Sequence, residues 1–260
     1  MMKHPVQIGF SQRVRLEWYE STANLVLAGN DEASIYRILD EMLNETLSVG
    51  GNARRGTREK VITILMKIWV RPPRHLEDMK REGLQFLQRL SRQDRIPVHW
   101  GMTMAVYPFW GTVAAYVGRL LRLQGTATAG QVQRRVREQF GERSTVTRAT
   151  QRILRSFIDW GVLQETSERG SYAAGSVLDV TQRDVIAWLV EAALHAHQVR
   201  AVPLGTVLES TSLFPFRLSY LSPMRLVAES DRLDLLRYDL NQELITSHSN
   251  APSVARSGGI

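Results

Sequence analysis

Thr145, Thr147, Arg148, Gln151, Arg152 and Arg155 recur at intervals that gather side chains on one side of a helix. The set holds hydrogen-bonding groups and arginines, and no carboxylate appears in the run before Asp159. A guanidinium forks onto guanine edges or phosphate oxygens, and an amide such as Gln151 pairs with adenine. These are the groups a helix in the DNA major groove needs. A solvated amphipathic helix is the alternative, although an ordinary solvated surface intersperses Glu and Lys among its cations.

Further cations flank this run. Arg169 falls in the turn of the hairpin pattern VLQETSERGSYA, where an arginine would lie along phosphates or in the minor groove. The Gly-rich segment SVGGNARRGTREK carries Arg54, Arg55, Arg58 and Lys60, and two readings stay open for it: contact with nucleic-acid phosphates, or a solvated turn. Gly51 and Gly56 have the spacing of a phosphate loop. However, Thr57 and Arg58 stand where that loop requires Lys and Ser or Thr, and the preceding residues 41–47 have a helical period.

Catalytic constellations are missing. The chain has no cysteine, which excludes disulfides, thiolate metal sites and cysteine nucleophiles, and fits a reducing cytoplasm. His195 and His197 are two apart, so on a helix they diverge by about 200° and cannot share a metal. Asp231 and Asp234 form one weak Asp-x-x-Asp pair. Neither an enzyme, a cofactor nor a metal site is expected.

Elements that would position the cations follow from periodicity. Thr128 and Gln131 make a capping box for a helix striped by Ala129, Val132, Val136 and Phe140 and ended by Gly141. Ser144 or Thr145 is placed to cap the next helix, whose inward set is Val146, Ala149, Ile153, Leu154, Phe157 and Ile158. A short Gly-containing turn between two helices, then a hairpin, predicts a winged helix-turn-helix over about 99–178.

That unit begins inside an uncharged stretch, IPVHWGMTMAVYPFWGTVAAYVG, at residues 96–118. Its length would suit a membrane span, but Pro97, Gly101, Pro108 and Gly111 dilute it, and its polar side continues into Arg119 and Arg122. A helix is expected only from Pro108 onward, with Trp110 and Val113 buried and Arg119 and Arg122 facing water or phosphate.

Upstream, residues 12–28, 31–47, 57–70 and 76–90 read as helices, giving an N-terminal helical bundle over 1–98. Downstream, 179–246 reads as a small C-terminal helical segment, in which LFPFRL (213–218) is either a partner surface or a small core and LVAESDRLDLLRYDLNQELIT (226–246) is either a strand pair or a helix. The Ser/Asn/Gly tail, 247–260, reads as disordered. The expected fold is therefore mainly α. The 33 Lys plus Arg against 26 Asp plus Glu give a formal charge of +7, which favours an acidic partner.

The layout resembles the BrxA family of BREX phage-defence islands. The likeness rests on the Gly-ended helix LVLAGN (25–30), the helix leading to the basic SVGGNARRGTREK, and TQRILRSFIDWGVL (150–163), and it spans most of the first 175 residues as an order of elements. The chain runs longer at its C-terminal end than that family. The resemblance implies a non-enzymatic, cytoplasmic accessory protein that binds double-stranded DNA and works with other proteins of a defence assembly. A protein–protein scaffold and a dimeric transcription regulator are the other readings.

Overall fold

The computed structural model describes residues 8–47, 56–197, 201–239 and 242–248. Helices α1 (Leu16–Leu27), α2 (Glu32–Asn44), α3 (Thr57–Leu65) and α4 (Glu77–Arg89) form the N-terminal part, and α3 runs on into a π-turn, Met66–Val70. The α1–α2 link has the expected chemistry: Gly29 adopts φ 78°, and the Asp31 carboxylate accepts the Ser34 N–H at 2.9 Å. Helix α1 starts at Leu16 rather than near residue 12. The cause is Val14, whose N–H donates to Ser156 Oγ and whose carbonyl accepts the Trp160 indole, so its backbone is committed to a distant element.

The uncharged stretch is two helices, α5 (Ile96–Val106) and α6 (Pro108–Gln124), where only the second was expected. Residues 97–106 are buried without exception. A helix apolar all round has no period to read, which is why α5 escapes a periodicity search. It lies in the core, and the 98/99 boundary falls within it. A Cβ on Gly101 would stand 2.4 Å from the Trp188 ring, so α5 needs glycine there to approach the helix Arg183–His197 that carries Trp188. Trp110 and Val113 are fully buried, while Arg119 and Arg122 are exposed, as the period after Pro108 predicts. Among the described residues no helix is long and apolar enough to cross a membrane.

Strand β1 (Thr126–Thr128), helices α7 (Ala129–Phe140) and α8 (Ser144–Asp159), and strands β2 (Leu163–Glu165) and β3 (Ser171–Ala174) follow. The strands form an antiparallel sheet in the order β1-β3-β2. Thr128 and Gln131 make both bonds of the capping box. Neither Ser144 nor Thr145 caps α8: the N-cap position is Arg143, and its side chain makes no cap bond. Phe157 of α8 stacks on Trp100 at 4.8 Å and meets Trp110 edge-on at 4.8 Å, so the aromatics of the uncharged stretch hold α8 against the rest of the protein.

The C-terminal part is mixed rather than helical. It comprises β4 (Leu178–Val180), α9 (Arg183–His197), β5 (Ala201–Pro203), α10 (Leu204–Leu208), β6 (Phe216–Leu218), α11 (Pro223–Ala228), β7 (Leu233–Asp239) and β8 (Gln242–Ser247). Strands β4 and β6 pair in parallel, and β5-β8-β7 form an antiparallel sheet. The succession of helix, strand, two helices and two strands seen from α6 to β3 thus recurs from α9 to β8, with the same sheet order and with β6 inserted. Leu213 and Phe216 of LFPFRL are buried, and Phe214 and Phe216 pack edge-on against Trp100, so this segment is core. Arg232 clamps Glu191 of α9, at 2.8 Å, and Glu82 of α4, tying this part to the N-terminal helices. Ser247, expected in a disordered tail, ends β8 and is buried; residues 249–260 lie outside the described residues.

Candidate nucleic-acid interface

Helix α8 divides as its sequence predicts. Val146, Ala149, Ile153, Leu154 and Phe157 are buried, whereas Thr145, Arg148, Gln151, Arg152 and Arg155 are exposed and Thr147 is half-buried. Among the described residues Arg148 hydrogen-bonds only within its own helix, at 3.4 Å from the Ser144 carbonyl. The Gln151 and Arg152 side chains have no hydrogen-bond or ion-pair partner among the described residues. Arg155 differs, because it pairs with Glu165 of β2 at 2.8 Å. Arg169 is exposed at the tip of the β2–β3 hairpin, and the Ala129 N–H donates to the Gly170 carbonyl at 2.9 Å, fixing that tip beside the start of α7.

Beside α8 lies a cleft of about 400 Å³ that periodicity does not reveal. Thr145, Arg148 and Arg152 line one side; Ser11, Gln12 and Lys60 face them, and no carboxylate takes part. The N-terminal segment is held there firmly. Phe10 is fully buried against Trp110, at 4.9 Å, and Tyr107, at 5.5 Å. Arg13 pairs with Asp159 through both carboxylate oxygens. Val14 is bonded through its N–H to Ser156 and through its carbonyl to Trp160, at 3.0 and 3.1 Å. Residues 8–12 carry two apolar side chains, Ile8 and Phe10, and no repeat, so nothing in their sequence pairs them with a helix more than 130 positions away.

The basic segment before α3 splits by role. Lys60 faces the cleft, and its ammonium has no partner among the described residues. Arg58 is tied to Asp40 at 2.7 Å and to Asn44, pinning α3 onto α2, which occupies the guanidinium expected to meet phosphate. Arg54 and Arg55 lie outside the described residues.

Converging cations without a carboxylate leave a positive field for an anion, and hydroxyl and amide groups beside them supply donors. A second cavity, of about 730 Å³, mixes signs: Arg13, Arg15 and Arg92 stand with Glu17, Glu20 and Asp159. Behind it Glu20 accepts from Arg95 at 2.9 Å and meets Nε2 of the fully buried His99 at 3.0 Å. Burial drives the Glu20 pKa upward, but His99 and Arg95 outweigh it and hold the carboxyl below its ordinary range. Burial pushes the His99 pKa down, against the opposing pull of Glu20. Among the described residues no three His, Asp or Glu side chains gather where they could hold a metal ion.

No protein-family model, curated protein or solved structure matches this chain.

Proposed function

We propose that the chain is a non-enzymatic, cytoplasmic protein that binds double-stranded DNA. In this reading residues 108–174 are a winged helix-turn-helix, α8 enters the major groove, and the β2–β3 hairpin is the wing with Arg169 on the phosphates. The observation that carries it is the convergence of Arg148, Arg152 and Lys60, which come from two distant helices, on one carboxylate-free cleft beside α8. The element order from α6 to β3, with its β1-β3-β2 sheet, supports the same reading.

The likeness to the BrxA family extends the proposal to an accessory role in a phage-defence assembly with other proteins. A scaffold built on LFPFRL has less support, because Leu213 and Phe216 are turned inward.

The test is duplex binding as a function of salt. Affinity is expected to fall steeply between about 50 and 200 mM salt, since each phosphate contact releases counterions. Absence of binding to any duplex at low salt would overturn the proposal.

A further inference from the structure

A helix with its side chains is about 10–12 Å across, and the B-DNA major groove is about 12 Å wide, so one helix fills it. Helix α8 does not protrude alone. Residues 8–12 stand beside its Thr145, Arg148 and Arg152 side, fixed by the burial of Phe10 and the bonds of Val14. A duplex that accepts α8 in its groove cannot also admit that segment there, and buried Phe10 and the two bonds of Val14 hold the segment in place.

We infer that residues 8–12 lie on the far side of one DNA strand from α8, so that a phosphodiester backbone seats in the cleft between them. Lys60, Arg148 and Arg152 neutralise the phosphates, and the Ser11 hydroxyl and Gln12 amide supply donors. The N-terminal segment then straddles the strand that borders the major groove. It becomes part of the interface, and the duplex meets both the α6–β3 unit and the N-terminal helices. This inference rests on the DNA-binding reading above.

The absence of cysteine gives a direct test, because an iron chelate attached at Ser11→Cys is the only one on the chain. A second protein with the chelate at Ser167→Cys, on the hairpin turn, serves as the reference. The chelate at position 11 is expected to cut the duplex in a short window separate from that cut from position 167. Cutting from position 167 alone overturns the inference and leaves DNA binding standing; a chain that binds no duplex overturns the reading beneath it.

Ser11 is exposed, so Ser11→Glu places a carboxylate in the cleft without disturbing the core. It is expected to weaken duplex binding roughly tenfold and to reduce the salt slope by about one. Unchanged affinity would overturn the inference.

Discussion

The Trp160 indole N–H donates to the Val14 carbonyl at 3.1 Å, joining the end of the cation-bearing helix to the segment that forms the opposite wall of the cleft. Trp160 is buried, so the bond is shielded from water. Trp160→Phe keeps an aromatic ring and loses the donor. It is expected to lower stability by about 1–3 kcal/mol, because the Val14 carbonyl is left without that partner. Equilibrium urea unfolding checks this, and an unchanged midpoint would show that the bond contributes nothing.

Arg148→Ala combined with Arg152→Ala should weaken duplex binding to a similar extent on every sequence and reduce the salt slope by about one for each phosphate contact removed, with little change in stability, since both side chains are exposed. Arg58→Ala should do the reverse. Its guanidinium holds Asp40 and Asn44, so the melting temperature falls while DNA affinity stays close to the parent's. Binding isotherms and thermal melts on the same preparations separate the two roles.

Glu165 competes with DNA for Arg155. The pair is solvent-exposed and worth less than about 1 kcal/mol to folding. Glu165→Gln should therefore leave stability nearly unchanged and tighten duplex binding at low salt. Binding that stays the same or weakens would show that Arg155 does not face the duplex.

Gly118 of α6 approaches the short 3-10 turn Thr211–Leu213 so closely that a Cβ would stand 2.0 Å from the Thr211 carbonyl oxygen. Gly118→Ala is expected to destabilise by about 1–3 kcal/mol or more, because backbone must move. At Gly130, in the first turn of α7, an added Cβ meets nothing within 4 Å. Gly130→Ala should stabilise by up to about 1 kcal/mol. Calorimetry of the two variants reads both signs.

His99 sets a pH dependence. Its folded pKa lies below the ordinary 6.5 through burial, so the unfolded chain takes up a proton that the folded chain resists. The stability associated with His99 is complete above about pH 6.5 and is lost as the pH falls toward the folded value. Glu20, held below its ordinary 4.5, adds a loss in the same direction at lower pH. The melting temperature should drop between about pH 7.5 and 5, and His99→Gln should flatten that drop. An equally steep drop in the variant would assign the effect to other groups.

The parts of the fold governed by local rules were legible in the sequence. The Thr128–Gln131 capping box, the Gly29 and Gly141 helix ends, and the two sides of α8 all follow from residues within a few positions of each other. Helix α5 was not legible, because a segment buried on every side carries no contrast between faces. Strand β5 has no signal in the sequence, and the stretch of β7 and β8 reads equally as a strand pair or a helix, because short runs such as LDLLRYD fit either period and are decided by pairing with distant partners. The same holds at the cleft. The cations on α8 could be read from the sequence, but the wall opposite them depends on Phe10 meeting Trp110 and Val14 meeting Trp160.

Helix α5 also decides how the molecule can come apart. Its flanks are covered at once by His99 on Glu20 of α1, Gly101 on Trp188 of α9, and Trp100 on Phe157 of α8 and Phe216 of β6. Removing any of those elements uncovers a helix with no side suited to water. The residues that face the cleft are therefore not a portable module. A fragment confined to 99–178 would aggregate rather than fold, and the chain would melt as one cooperative body in which a lesion in α1 or α9 is felt at α8.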